Sequence, residues 1–177
     1  MMSVSAMLGF TTLQSTLWNL AAYAAFVGII VGVLYERARN ILLTVGGGML
    51  ACYSAFFLKD TVFAALQIIV TVSGALQLYR VDRRKTIVTM SALTFATLVV
   101  LTFIGALQNA ILVVGIGGLL GIALGIMLLP RRSAFALMTT GGILLVAYAW
   151  SSGAWVFFWL NIFFALANIK ELVTARA

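Results

Sequence analysis

The sequence predicts an all-α membrane protein with seven transmembrane helices, built as two parallel three-helix bundles joined by a linker helix. Three observations carry that expectation. Of 177 residues, 64% are apolar and 8% are charged, whereas a soluble domain carries about 25% charged residues. The apolar residues come in runs of roughly 20, the length that crosses a bilayer core. The basic residues gather in the gaps between runs, and those gaps alternate in charge along the chain.

The first run covers 14–34 and stops at Glu36, Arg37, Arg39 and Asn40. The second covers 40–58 and stops at Lys59 and Asp60. The third covers 61–79 and ends in the run from Arg80 to Lys85. The fourth covers 87–107, divided from the fifth, 109–129, by Gln108 and Asn109. Pro130, Arg131 and Arg132 close the fifth. The sixth, 134–151, ends at Ser151, Ser152 and Gly153, and the seventh covers 154–173. A Lys or Arg at a helix centre costs about 2.5–3.5 kcal/mol on the insertion scale, so the charges belong in the connections. The start of the chain lacks the charged n-region of a signal peptide, so the first run is expected to be retained.

Seven crossings place Arg37, Arg39, Arg80, Arg83, Arg84, Lys85, Arg131, Arg132, Lys170 and Arg176 on one side and Lys59 on the other. The basic side is cytoplasmic by the positive-inside rule. The expected topology is therefore a multi-pass plasma (inner) membrane protein with its N-terminus outside and its C-terminus in the cytoplasm. Arg80, Arg83, Arg84 and Lys85 are expected to touch anionic lipid headgroups.

The same pattern excludes several functions. A net charge of +7 does not point to nucleic acid, because the cations lie in short connections and not on one solvated face. The chain has no His and one Cys, Cys52, which leaves no internal disulfide and no Cys/His metal cluster. No cofactor is expected. No acid pair lies within a run and no Ser sits in a Gly-x-Ser-x-Gly setting, so an enzyme is not expected. All four acids fall at run ends, which argues against the proton relay of a pump.

The sequence also repeats. A shift of 94 positions lays Gly47-Gly48 on Gly141-Gly142, Val62-Phe63 on Val156-Phe157, and Leu66-Gln67-Ile68 on Leu160-Asn161-Ile162. Arg37 falls on Arg131, and a one-residue slip puts Gly28 and Gly32 on Gly121 and Gly125. Two three-helix units follow, 1–85 and 108–177, with 86–107 as the linker. An odd number of spans would invert the second unit, and the linker restores its direction, so the repeat is parallel.

Several stretches resemble a known family. Gly117-Gly118-Leu-Leu-Gly121 through Pro130-Arg131 looks like a glycine-rich first helix ending in Pro-Gln. Ala147-Tyr148-Ala-Trp150-Ser-Ser-Gly153 followed by Leu160-Asn161 is similar to an aromatic–Tyr–Gly turn and a third-helix Asn. Together with the three-plus-one-plus-three layout, these resemble the SWEET sugar transporters, their half-size bacterial relatives and the nicotinamide riboside transporters. Arg131 stands where that family has glutamine, and Glu36 stands where the first unit would have its proline. The resemblance implies transport of a small solute.

Candidate solute contacts follow from side-chain chemistry. Gln67, Thr71 and Gly74 share one face of the third run, and Asn161, Ala165 and Asn168 occupy the shifted positions on the seventh. An amide offers two donors and an acceptor, which suits hydroxyls or a neutral ring amide. Gln67 and Asn161 fall near the middle of their runs, where carriers place their substrates. Tyr53 and Tyr148 could stack on a planar or sugar ring. Most polar side chains in membrane helices serve as interhelical glue instead, and Trp150 and Trp155 fit an interfacial belt. The glycines fit close helix packing. The expected function is a transporter for a small, polar, uncharged solute, a sugar or a vitamin nucleoside, by alternating access or facilitated diffusion. A solute or ion channel and a non-transporting accessory membrane protein are the alternatives. A homo-oligomer is compatible with the sequence.

Overall fold

A computed structural model describes residues 12–34, 38–129 and 131–174. Glu36, Arg37, Pro130 and Arg176, used above as punctuation and topology marks, lie outside the described residues. The described residues are all helical or turn, with no strand. Seven helices are long and apolar enough to cross a membrane. They are α1 (Leu13–Leu34), α2 (Arg39–Cys52, continued by a π-helical segment Tyr53–Leu58), α3 (Thr61–Leu78), α4 (Arg83–Phe103), α5 (Ala110–Leu128), α6 (Arg132–Ser152) and α7 (Trp155–Thr174). A short 3₁₀ turn, Ala106–Gln108, joins α4 to α5.

Six helices follow the expected bounds closely; the fourth does not. It was expected over 87–107 and runs instead from Arg83 to Phe103. Asp82 explains the start. Its carboxylate accepts the Arg84 N–H at 2.9 Å, an N-cap that nucleates the helix ahead of the basic residues. Gly105 explains the end. It takes φ +76°, a left-handed conformation that glycine adopts without steric cost.

Packing divides the helices into two triplets. In the first, α2 lies against both α1 and α3; in the second, α6 lies against both α5 and α7. Between the triplets, α3 meets α5 and α1 meets α7, and α4 rests on α3 and α5. Both central helices bury two successive glycines, Gly46-Gly47 on α2 and Gly141-Gly142 on α6. A Cβ on Gly46 would stand 2.8 Å from Ile29 and 3.0 Å from the Ala25 carbonyl oxygen. On Gly141 it would stand 2.7 Å from the Gly118 carbonyl oxygen and 2.8 Å from the Ile122 nitrogen. Facing the third helix of each triplet, Cβ atoms on Gly47 and Gly142 would each lie 3.5 Å from a carbonyl oxygen, that of Gln67 and of Asn161.

The two helical hairpins also end alike. Lys59 (φ +55°) and Gly153 (φ +70°) close their helices in the left-handed conformation, which lets the chain reverse while capping carbonyls. The bonds they allow differ by one residue. Ala154 N–H donates to the Ala149 carbonyl, whereas Asp60 N–H donates to the Ser54 carbonyl, both at 2.9 Å. The extra residue is taken up by the π-helical segment Tyr53–Leu58, the usual form of a single insertion in an α-helix.

Candidate functional site

The triplets meet through an aromatic cluster beside the turns at 59–60 and 153–154. Phe63, in the first turn of α3, stacks on Phe157 of α7 with ring centroids 4.2 Å apart and planes 7° from parallel. Tyr148 of α6 leans on Phe63 at 5.1 Å, and Tyr53 of α2 leans on Phe157 at 6.2 Å. Each tyrosine thus touches the phenylalanine of the opposite triplet. All four rings are buried.

Hydrogen bonds make the cluster asymmetric. Tyr53 hydroxyl donates to the Asn19 side-chain oxygen of α1, within its own triplet. Tyr148 hydroxyl crosses the seam and donates to Asp60 Oδ2 at 2.8 Å. Asp60 also caps α3, accepting the Phe63 N–H on Oδ1 at 3.0 Å. Burial pushes the Asp60 carboxyl above its ordinary range, and the bonds from Phe63, Tyr148 and Val62 pull the other way without cancelling it.

Gln67 and Asn161 lie four residues beyond Phe63 and Phe157 on the same helix faces, about 6 Å further from the turns at 1.5 Å per residue. Each is 2% exposed. Gln67 Oε1 is buried with no hydrogen-bond partner among the described residues, a state that costs about 1–3 kcal/mol. Asn161 Nδ2 donates to the carbonyl of Phe157 on its own helix at 2.7 Å.

The remaining sequence candidates take packing positions. Thr71 donates its hydroxyl proton to the Gln67 carbonyl at 2.6 Å, and its Oγ1 lies 2.6 Å from where a Gly47 Cβ would stand. It therefore serves the α2–α3 seam. Asn168 is buried and bonds back to the Phe164 carbonyl at 2.8 Å. Tyr53 and Tyr148 belong to the aromatic cluster, their hydroxyls engaged as above.

Sequence reasoning gave no role to Asp60, Phe63 and Phe157. The paired Val-Phe under the 94-residue shift was the signal for the two phenylalanines. Asp60 gave none, because an acid at a span end reads as a solvated loop residue. An apolar groove of about 580 Å³ lies apart from the amides, between α1 and α2, lined by Trp18, Ala21, Thr44, Gly48, Met49 and Tyr53 among others.

Comparison with protein-family profiles, with curated proteins and with solved structures gave no match to this chain.

Proposed function

We propose that this chain is a plasma-membrane transporter that moves a small, polar, uncharged solute by alternating access between its two triplets. The sugar and vitamin-nucleoside carriers it resembles supply the solute classes. In this reading the N-terminus faces outside, the C-terminus lies in the cytoplasm, and Arg80, Arg83, Arg84 and Lys85 contact anionic lipid headgroups.

One observation carries the reading: the triplets meet through side chains at the turn end, above two buried amides. Stacked rings and one hydrogen bond can separate without unfolding either triplet, since each triplet has its own glycine-packed seam. The turn end would be the outer gate, closed here. Opening it would expose Gln67 and Asn161, and a solute hydroxyl or N–H donated to Gln67 Oε1 would remove the cost of that unpaired acceptor.

Alternating access is easiest to build from two like units, and we read the triplets as a duplication. Their close approaches support a register that drifts along the chain. Ala25 and Ile29 correspond to Gly118 and Ile122, an offset of 93; Gly46 and Tyr53 to Gly141 and Tyr148, an offset of 95; Phe63 and Gln67 to Phe157 and Asn161, an offset of 94. The ungapped alignment put Gly47-Gly48 on Gly141-Gly142; this register puts Gly46-Gly47 there, and the π-helical segment absorbs the difference.

A thermal-shift screen of the purified protein against sugars, nucleosides and vitamins identifies the solute, because a ligand that binds only the folded state raises its stability. Uptake of that solute into proteoliposomes is then expected to be lost when Gln67→Leu and Asn161→Leu are combined. Intact uptake in the double variant overturns the site, and flux that never saturates favours a channel.

A further inference from the structure

We infer that the Tyr148–Asp60 latch is a proton-operated switch, in which a proton taken up by the Asp60 carboxyl from the outer solution holds the gate closed. The inference rests on the gate reading above and goes beyond it, since it gives the protein a sensitivity to external pH.

Asp60 is the one carboxylate among the described residues with a hydrogen bond across the seam. Its surroundings are poor in charge. The segment preceding it contributes Tyr53 and Lys59, and α6 contributes Tyr148; the starts of α5 and α7, with Asn109 and Trp155, contribute nothing that titrates. Lys59 is exposed. Its left-handed backbone comes one residue before the cap. Among the described residues no salt bridge offsets the half-buried carboxylate, so its charge is held by neutral donors, the Phe63 and Val62 N–H groups and the Tyr148 hydroxyl.

Separating the triplets removes Tyr148 and the aromatic cover and leaves Asp60 as an exposed N-cap, with its pKa back in the ordinary carboxylate range or below it. In the closed state burial keeps its pKa higher. A proton therefore binds the closed gate more tightly than the open one. The closing effect is full below the open-state value and is lost as pH rises through the closed-state value. Each unit between the two values shifts the closed-to-open ratio by up to about tenfold. The proton enters and leaves from the same side, so the effect is gating and not coupled proton transport.

Two measurements test this. In pH-difference infrared spectra of the unmodified purified protein without solute, a carboxylic-acid C=O band should persist above the ordinary carboxylate range. It should vanish in Asp60→Asn, or move in frequency in Asp60→Glu if the Asn variant does not fold. A band that titrates in the ordinary range, or that survives both substitutions, overturns the inference whatever the transport assays give. In the second, spin labels at Phe56→Cys and Ser151→Cys in a Cys52→Ala background report the separation of the triplets. Acid should raise the short-distance population, and Asp60→Asn, a neutral mimic of the protonated acid, should abolish the response. A distance distribution that ignores pH, or that still follows it in Asp60→Asn, overturns the switch.

Discussion

Between α5 and α6 the backbones nearly touch at Gly118, Gly121 and Gly125; between α1 and α2, among the described glycines, they do so at Gly46 alone. A Cβ on Gly121 would stand 2.9 Å from the Gly141 Cα, and one on Gly125 2.9 Å from the Ala134 carbonyl oxygen. On the other seam a Cβ on Gly28 would meet nothing closer than a Leu42 methyl at 3.9 Å. In lipid, where burying apolar surface gives no driving force, close backbone approach is a main source of helix association. The second triplet is accordingly the stiff half. The first, with its groove and its π-helical segment, is the half able to deform.

The comparison is sharpened most by the two glycines that fill equivalent places. Gly141→Ala sets a methyl against three backbone atoms of α5, which cannot turn aside, and overpacking of that kind costs about 3 kcal/mol. Gly46→Ala meets the Ile29 Cγ1 at 2.8 Å and one backbone atom, the Ala25 carbonyl oxygen, at 3.0 Å, so about 1.5 kcal/mol is expected. Reversible unfolding in mixed detergent micelles measures both; equal losses would break the contrast between the seams.

The tyrosines come next. Tyr148→Phe removes a bond to a carboxylate and should cost about 1.5 kcal/mol. Tyr53→Phe removes a neutral bond within one triplet and should cost about 0.6 kcal/mol. In the spin-label experiment only Tyr148→Phe should widen the gap between triplets. A widening with Tyr53→Phe would mean that the two hydroxyls do the same job.

Smaller effects are expected at the turns. Gly153→Ala forces a side chain into the left-handed conformation where no steric contact is involved, a loss of about 1 kcal/mol. Lys59→Gly relieves the same strain and, after the flexibility glycine adds to the unfolded chain, should gain about 0.5 kcal/mol. Gly48→Ala, on the open side of α2, should change stability by less than about 0.5 kcal/mol.

The helices were legible because a bilayer span needs a long apolar run, and nothing else in this sequence interrupts such runs. What escaped was local. Arg83, Arg84 and Lys85 read as a loop, but Asp82 caps them into α4, where long cationic side chains can reach along the helix toward polar surroundings. The extra residue of the π-helical segment Tyr53–Leu58 leaves no trace in composition. Gln67 and Asn161 stood out as amides in apolar helices. Asp60 did not, because its burial depends on Tyr148, 88 residues away in sequence.

The wide turn at Tyr53–Leu58 acts as a spacer that keeps α2 in phase. In an unbroken α-helix one additional residue would rotate everything before it by about 100°, yet Gly46, Gly47 and Tyr53 hold the same places as Gly141, Gly142 and Tyr148. Both triplets therefore aim a tyrosine at the opposite phenylalanine, while their flanks differ in residue type alone: Gly48, Met49 and Cys52 on α2, where α6 has Ile143, Leu144 and Ala147. One residue of slack in a single turn thus leaves both sides of the interlock aligned while the outward flanks differ.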